Sequence, residues 1–580
     1  MRQWMVAAKK ADFYAIAEKF HVDPVVARII RNREVIGEKN IRIYLGGNLS
    51  DLSDPHQMKD MDRLVEILAQ KIRKQVHIRI IGDYDVDGVT SSHLFLTALR
   101  RVGAKVDVVI PHRIQDGYGL SLHLLQQAKE DGVDTILTCD NGIAAIDEIA
   151  WAKAQKMTVL VTDHHAVPFE EHEGRRTEKK SLADAVVNPH QQDCGYPYKE
   201  LCGAGVAWNV IRVLYENYDM DKREAEDLLD FVAMATVCDV MSLTGENRIL
   251  VKEGLKRIRH TKNIGLQALM QACNVQPENI SAYHFGYVLG PCVNATGRLD
   301  TARHALRLFE TGQETEAEEI ARDLVDLNQE RKELTLQGVE MAKKLCEEGG
   351  YENDPILVLF LPDVHESIAG LIAGRIREMY NRPVFVLTRG EEGVKGSGRS
   401  TENYSMYENM CGCAELFTKF GGHPMAAGLS LPEENVEKFR RKINENCPLT
   451  VEEVCPDIHI DMAMPVGYAS TELVHQFALL EPFGKDNPSP LFADRNLSIS
   501  RMWVIGKNRN VLRMSVLSEY GQPVPVIFFG DVETLFAYFT EKFGQEEVEN
   551  ALHGRKNRIL FSMVYTCLLY TSPSPRDVEE

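Results

Sequence analysis

Residues 76–161 alternate short runs of β-branched and apolar residues with stretches of helical composition. The strand-like runs are HIRII, KVDVVIP, DTILTCD and MTVLVTD, and the helical stretches include TSSHLFLTALRRVG and SLHLLQQAKEDG. This order is typical of βαβ units, which build a mostly parallel sheet. Such sheets bind ligands beyond the carboxyl ends of their strands, near the point where the strand order reverses. The chain therefore predicts an α/β fold with a ligand site at one edge of a parallel sheet.

Carboxylates and imidazoles follow these strand-like runs. The candidates are Asp83, Asp85, Asp87, Asp140, Asp163, His164 and His165, with Asp239 at the end of the apolar run EAEDLLDFVAMATVCDVMSL. Alternate side chains of an extended segment share one face, so the aspartates of DYDVDG are expected to direct several oxygens at the same ions. Asp140 is placed to bridge two metal ions, His164 offers a ring nitrogen as a ligand, and Asp239 completes the coordination. Mixed Asp and His ligation suits Mn²⁺, with Mg²⁺ as the harder alternative.

Two such ions, about 3.5–4 Å apart, would polarise a phosphoryl group and lower the pKa of a bridging water. The pattern therefore predicts a metallohydrolase. A DxDxD motif alone is often a calcium loop or a solvated turn, and neighbouring histidines such as His164 and His165 are more often surface or packing residues. Their joint occurrence at successive strand ends favours the metal site.

Composition limits the class of protein. A length of 580 residues favours three or four domains, and a formal net charge of −19 argues against a generic polyanion binder, so any nucleic-acid site must be a local basic patch. The 12 cysteines include only one closely spaced pair, Cys411 and Cys413, which predicts neither a zinc site nor a disulfide framework. The sequence has no apolar run of membrane-spanning length and no secretion signal, so we expect a cytoplasmic protein without a membrane partner.

The long acidic and basic stretch from Glu314 to Glu348 predicts one extended helix, ended by Gly349 and Gly350 and solvated along much of its length. Short strands after residue 451 favour a small β-barrel, for which an oligonucleotide-binding (OB) barrel is one compact solution. The predicted segments are a helical N-terminal segment (1–70), a first α/β domain (71–260), a helical connector (261–350), a second α/β domain (351–447), the barrel (448–566) and a tail (567–580).

The tail contains CLLYTSPSPRD, from Cys567 to Asp577, which breaks the preceding strand pattern. We interpret it as the translated read-through of a sequencing adaptor. On this interpretation the natural sequence differs after about residue 565 and the barrel is truncated. The alternative is a disordered Pro/Ser tail.

Four motifs, GDYDVDG, CDNG, TDHH and ATVCDV, resemble in order those of the DHH phosphoesterase superfamily. GSGRS and FGGHPMAAG resemble the DHHA1 nucleic-acid-binding domain, and with LGPCVNATGRLDTA and a C-terminal barrel the chain is most similar to the exonuclease branch. The resemblance implies that Asp140 bridges the metals, that Asp83 ligates directly or through water, that His165 contacts the scissile phosphate and that Asp163 orients its neighbours. Ile81 stands where other branches carry a histidine, which makes the coordination of one metal less predictable. The implied metal ligands are Asp85, Asp87, Asp140, His164 and Asp239.

Phosphate recognition requires cationic donors. The resemblance puts Arg113 on the terminal 5′-phosphate, Arg298 near a narrow entrance between lobes, and Arg399 with His423 where the family grips DNA. Ser397 adds a hydroxyl, and the glycines of KGSGRS are expected to let backbone amides approach phosphate oxygens. Alternatively, the glycine-rich runs are ordinary turns and Arg298 begins a surface helix.

The resemblance implies a single-stranded-DNA-specific 5′→3′ exonuclease of recombination and repair. It would release 5′-mononucleotides and work with a single-strand-binding protein and a helicase. Two alternatives remain open at this point. One is a phosphodiesterase for short oligonucleotides or cyclic dinucleotides, or a pyrophosphatase, and the other is a non-catalytic replication scaffold.

Overall fold

The computed structural model describes residues 4–113, 116–117, 119–172, 175–351, 353–390, 393–455, 457–506 and 509–567. The chain divides into two compact units. Unit 1 comprises residues 47–456 and 482–487, and unit 2 comprises residues 2–46, 457–481 and 488–580. None of the described helices is long and apolar enough to cross a membrane.

The chain begins with elements of unit 2: β1 (Trp4–Val6), α1 (Phe13–Phe20), α2 (Pro24–Asn32) and α3 (Glu38–Gly46). Asp12 and Asp23 cap the first two helices, because their carboxylates accept hydrogen bonds from backbone amides of the first turn at 2.9 and 2.8 Å. The predicted N-terminal segment therefore starts with a strand. Residues 4–46 group with the C-terminal part of the chain, and residues 47–70 group with unit 1.

The first α/β domain contains these elements: α4 (Met61–Arg73), β2 (Ile78–Ile81), α5 (Val86–Arg101), β3 (Val106–Val109), α6 (Leu122–Glu130), β4 (Thr135–Cys139), α7 (Ile146–Ala154), β5 (Thr158–Thr162), β6 (Phe169–His172), β7 (Arg175–Glu178), β8 (Ala185–Val187), α8 (Gly203–Asn217), α9 (Lys222–Glu226), α10 (Leu229–Cys238) and α11 (Gly245–Ile258). Five of the strands form a parallel sheet of order β3-β2-β4-β5-β8, which confirms the predicted βαβ pattern. One face of this sheet packs against α5 and α8 and the other against α6 and α7, so the central strands are apolar on both faces.

The connector comprises α12 (Ile264–Ala272), α13 (Ala282–His284), a π-helical turn (Phe285–Leu289), α14 (Gly290–Leu299), α15 (Arg303–Glu310) and α16 (Glu314–Glu348). The bounds of α16 agree with the predicted long helix. Its packing is more extensive than predicted, because a stripe of mostly small buried residues from Ala317 to Cys346 contacts α12 and α14 at one end and α17 (Ala369–Tyr380) at the other. Gly338 allows this close approach, since a Cβ there would lie 2.3 Å from Ile372 Cδ1.

The second α/β domain comprises β9 (Leu357–Phe360), α17 (Ala369–Tyr380), β10 (Val384–Gly390), β11 (Gly393–Arg399), α18 (Met406–Cys411), β12 (Lys419–His423), β13 (Ala426–Leu431) and α19 (Val436–Glu445). Its sheet order is β12-β13-β11-β10-β9. KGSGRS is therefore part of a central strand and not a phosphate-binding loop. Strand pairing on both sides occupies its backbone amides, which corrects the expectation that they approach phosphate oxygens.

The glycines of β11 have a packing role. A Cβ at Gly396 would lie 2.3 Å from Leu387 Cδ2, and one at Gly398 would lie 2.3 Å from Met406 Sδ. Because successive strand residues point to opposite faces, these glycines lie over the core while Ser397 and Arg399 point to the other face. The alternation thus places glycines on the closely packed face of the strand and polar side chains on the opposite face.

Unit 2 is completed by β14 (Ile458–Ile460), β15 (Met462–Ala463), α20 (Thr471–Gln476), β16 (Phe492–Ile505), β17 (Val511–Leu517), β18 (Pro523–Phe529), α21 (Val532–Phe543), α22 (Gln545–Leu552) and β19 (Leu560–Tyr565). The strands predicted after residue 451 form one sheet, in which the long β16 pairs with β15, β17 and β19. Helices α21 and α22 were not predicted. Residues 568–580 of the proposed non-native tail lie outside the described residues.

Candidate active site

The DYDVDG segment turns from strand to helix and is not extended as predicted. Asp85 is the N-cap of α5, where its Oδ1 accepts a hydrogen bond from the Gly88 amide at 3.0 Å, and Asp87 lies in the first helical turn. Gly88 permits this tight turn, because a Cβ there would lie 2.5 Å from the backbone nitrogen of Asp83. The three carboxylates still converge, since the start of the helix bends the chain around a common point.

Asp87 is held by the N-terminus of α8. Its two carboxylate oxygens accept hydrogen bonds from the amides of Gly203, at 2.6 Å, and Ala204, at 2.7 Å. The positive end of the helix dipole favours a carboxylate there. A Cβ at Gly203 would lie only 2.6 Å from Asp140 Cβ, so the position requires glycine. Sequence reasoning missed this support, although GAG at a helix start is a visible signal.

Asp140 and His164 meet at the centre of the site. Asp140 follows β4 with φ of 62°, a left-handed conformation that aspartate tolerates better than most residues. His164 Nε2 lies 3.1 Å from Asp140 Oδ1, 3.6 Å from Asp239 Oδ2 and 3.7 Å from Asp87 Oδ2. Burial lowers the pKa of His164, which favours the neutral ring that a metal ion requires.

Asp163 organises the histidine pair. Its Oδ1 accepts hydrogen bonds from the amides of His164, at 2.7 Å, and His165, at 3.0 Å, and from His165 Nδ1 at 2.8 Å, while Oδ2 accepts from the Ile143 amide at 2.9 Å. Although burial opposes the charged ring, the hydrogen bond to Asp163 raises the pKa of His165 to about 9. Asn188, which sequence reasoning missed, donates to the carbonyl of His165 at 2.9 Å.

Several of these groups can hold cations together. Burial, followed by repulsion between neighbouring carboxylates, raises the pKa of Asp83, Asp140 and Asp239 well above the usual range. Both oxygens of Asp83 are buried without a hydrogen-bond donor among the described residues. Crowded buried carboxylates of this kind fit divalent cations. Three sets have ligand atoms within 4.8 Å of one another: Asp83, Asp85 and Asp140; Asp87, His164 and Asp239; and Asp140, His164 and His165.

A cavity of about 510 Å³ lies between the two α/β domains of unit 1. Its lining includes Arg113 and Ser397, which the sequence predicted, and Tyr84 and Lys395, which it did not. The Arg113 guanidinium lies over the Tyr84 ring, 4.7 Å from its centroid. Because Tyr84 stands between Asp83 and Asp85 in the chain, this cavity is directly beside the carboxylate cluster.

Two further arginines are close to this cavity. Arg298 donates to the Ser367 carbonyl at 2.7 Å and, with Arg113, lines a second cavity of about 400 Å³. Arg399 lies near Ser397, since a Cβ at Gly370 would be 2.8 Å from Arg399 Nη2 and 3.1 Å from Ser397 Oγ.

Burial and then the charge of neighbouring arginines lower the pKa of Arg298 to about 10 and lower the pKa of Arg399. Crowded guanidinium groups of this kind fit an anion. The predicted His423 is exposed at the end of β12 and, in the described part of the chain, lines neither cavity.

Comparison with known proteins identifies three domains. Residues 77–236 match the DHH family, N-terminal domain, residues 353–447 match the DHHA1 domain, and residues 460–564 match the RecJ OB domain. The single-stranded-DNA-specific exonuclease RecJ of Haemophilus influenzae is 34% identical over 518 residues, which cover 86% of this chain and 88% of that protein. The chain belongs to the RecJ family. The resemblance inferred from the motifs is thereby confirmed.

RecJ of Bacillus subtilis is 33% identical over 512 residues, and the chain spans 63% of the length of that relative. The crystal structure of RecJ from Thermus thermophilus in complex with Mn²⁺ matches with a TM-score of 0.75 at 27% identity, covering 91% of this chain and 74% of that one. Its Mg²⁺ complex matches with a TM-score of 0.72. The predicted fold class, a parallel-sheet DHH domain with DHHA1 and OB domains, is confirmed, and RecJ binds divalent metals.

Proposed function

We propose that this chain degrades single-stranded DNA from its 5′ end and releases 5′-mononucleotides. The observation that carries the proposal is the cavity lined by Arg113, Lys395 and Ser397, which Tyr84 joins to the carboxylate cluster. A terminal phosphate in the cavity would set a fixed distance to the reacting phosphodiester. Cleavage would then proceed from the end of a strand and not from its interior.

Two divalent ions fit the donor set, with Mn²⁺ preferred and Mg²⁺ as the alternative. Asp83, Asp85 and Asp140 would hold one ion, and Asp87, His164 and Asp239 the other. Such ions supply polarisation of the phosphodiester and a lowered pKa for an attacking water. The amides at the start of α8 keep Asp87 oriented.

His165 is the candidate donor to the scissile phosphate. Asp163 occupies its Nδ1, so the proton on Nε2 remains for a phosphate oxygen. With a pKa of about 9 the ring is cationic at neutral pH, which favours an anionic partner. Asp163 is a positioning residue in this scheme, because the hydrogen bonds described for its carboxylate are to the two histidines and to the Ile143 amide.

The 5′-phosphate is assigned to Arg113, Ser397 and Arg399, with Arg298 at the adjoining cavity. Planar guanidinium forks suit phosphate oxygens, and contacts of this kind bind any sequence because they do not read base edges. His423 stays a candidate DNA contact by resemblance alone. We propose the cytoplasm as the location, recombination and repair as the process, and a single-strand-binding protein and a helicase as partners.

A time course with 5′- or 3′-labelled single strands, and with a matched duplex, tests the proposal in Mn²⁺ and in Mg²⁺. We expect the 5′ label to appear first as a mononucleotide and the 3′ label to shorten progressively. Faster turnover of a dinucleotide or cyclic dinucleotide would support the phosphodiesterase alternative. Binding without turnover in either metal would support the scaffold alternative.

A further inference from the structure

Two tyrosines of unit 1 stack on one another at the protein surface. The ring centroids of Tyr283 and Tyr287 are 5.1 Å apart with an interplanar angle of 25°. The two residues are 63% and 72% exposed. Exposed aromatic rings that present a shared face are typical of binding surfaces, because their apolar area would otherwise be buried.

The helical turn that carries Tyr287 contacts the end of α10, which the metal-ligand candidate Asp239 follows in the chain. Tyr287 belongs to the π-helical turn, and that turn packs on the last turn of α10. Cys238, the residue before Asp239, donates from its Sγ to the Phe285 carbonyl at 3.2 Å. π-Helical turns are rare and frequently lie at functional sites.

The same helical stretch leads from the tyrosine pair to the arginine cavities. Helix α13, the π-helical turn and α14 run without interruption from residue 282 to residue 299. At the far end Asn294 Oδ1 accepts a hydrogen bond from the Val86 amide at 3.1 Å, and Arg298 lines a cavity with Arg113. Asn294 and Arg298 are four residues apart in α14 and therefore lie on the same side of that helix. About 16 Å separates positions 287 and 298 along the axis, at roughly 1.5 Å per residue.

We propose that Tyr283 and Tyr287 form a stacking platform for unpaired bases on the 3′ side of the cleaved phosphodiester. The inference rests on the proposed exonuclease function. With the 5′-phosphate at the arginines and the reacting linkage at the carboxylates, the rest of the strand continues past Asp239 towards the platform. Aromatic rings stack on every base, so the platform holds a strand without selecting its sequence. Base stacking also suits an acidic protein of net charge −19, which attracts phosphates poorly.

The test compares the double variant Tyr283→Leu/Tyr287→Leu with the wild type on intact strands and on strands with abasic positions beyond the first linkage. We expect the variant to raise KM on intact strands about 10-fold or more with kcat little changed. Abasic positions should raise KM of the wild type to a similar extent and leave the variant unaffected. The double Tyr→Phe variant should behave as the wild type, because phenylalanine keeps the stacking face. Tyr14→Leu is the matched control, since Tyr14 is a 79% exposed tyrosine on α1.

Binding of a labelled single strand to Asp140→Asn protein, with and without the tyrosine changes, separates this inference from the proposed function. If the wild type binds the strand through the tyrosines but does not cleave it, the proposed nuclease function would be refuted and the stacking platform would be supported. Equal binding and cleavage of intact and abasic strands by the wild type and the double-leucine variant would overturn the platform. The platform would also be overturned if the double-leucine variant lost only its stimulation by a protein partner, because the tyrosine surface would then bind protein.

Discussion

At the scale of single residues, the site combines buried carboxylates with opposite environments. Asp163 accepts four hydrogen bonds, and although burial opposes ionisation, the bond from His165 keeps the pKa of Asp163 low. Asp83 has no donor at either oxygen within the described part of the chain, and burial raises its pKa. The hydrogen bonds of Asp163 orient its neighbours, whereas the buried carboxylate of Asp83 is suited to a cation. Asp83 and Asp163 both follow a strand in the sequence, so chain position does not show which of the two roles each carboxylate has.

Removing one of the crowded carboxylates tests the metal site. We expect Asp140→Asn to reduce metal-dependent hydrolysis by about three orders of magnitude or more. In metal-free buffer its Tm should equal or exceed that of the wild type, because one buried like charge is removed. Mn²⁺ should raise the Tm of the wild type more than that of the variant. Unchanged turnover would contradict the assignment of Asp140.

The close approach of Gly203 to Asp140 gives a second prediction. Gly203→Ala should displace Asp140, since the added Cβ would lie 2.6 Å from Asp140 Cβ. We expect metal affinity to fall about 10- to 100-fold, as for other residues that orient ligands. Gly374→Ala in α17 is the control, because nothing lies within 4 Å of the added Cβ. Metal titrations that give the same affinity for both variants would argue against this role of Gly203.

Asp230 gives a prediction about pH, away from the metal ligands. Burial raises the pKa of Asp230 to about 6 from a usual 3.8, although Thr261 donates to its Oδ2 at 2.6 Å. Because the pKa of Asp230 is raised in the folded state, protonation of this carboxyl favours folding. The stabilising contribution is fully present below pH 3.8 and is lost as the pH rises through about 6. Asp230→Asn should therefore stabilise the protein by about 1–3 kcal/mol at pH 8 and much less at pH 4. Unfolding curves at both values check the difference, and an equal effect at both would refute the assignment.

At the scale of elements, α16 shows that a charged sequence can form a packed helix. The buried stripe of α16 contains the apolar Leu324, but it also contains Asn328, Thr335 and Gly338. Small and polar residues fill this face because α12, α14 and α17 approach closely. The helix bounds followed from the sequence, whereas the width of its contact face did not.

The contrast between buried and exposed leucines of α16 is testable. Leu324→Ala should lower the free energy of unfolding by about 2–4 kcal/mol, because the side chain is fully buried. Leu336→Ala should change it by less than about 0.5 kcal/mol, since that side chain is 64% exposed. Chemical denaturation of both variants provides the comparison. Similar losses would mean that the face of the helix has been misassigned.

At the scale of the whole molecule, unit 2 joins segments that are far apart in the chain. Strand β1 pairs in parallel with β14, and Arg33 donates to Asp461 from Nη1 at 2.6 Å and from Nη2 at 3.0 Å. Both side chains of this ion pair are largely buried. No local sequence pattern predicts this ion pair, because more than 400 residues separate the two partners.

Breaking this buried pair should destabilise unit 2. Asp461→Asn leaves the Arg33 charge buried and poorly compensated, which costs about 3–5 kcal/mol. We expect faster amide exchange both in residues 4–46 and in the described residues after 457. Glu34→Gln is the control, because the exposed pairs of Glu34 with Lys9 and Arg31 contribute little. Faster exchange confined to one of the two segments would show that they do not fold together.

Residue order alone was enough to predict the parallel sheet, the strand-end positions of the ligand candidates and the bounds of the long helix. These follow from strand and helix periodicity and from the rule that parallel strands end at one edge. Packing, in contrast, settled that amides of α8 hold Asp87 and that KGSGRS is a paired central strand. Each of these depends on how close distant parts of the chain approach one another, and that distance is set by packing and not by local composition.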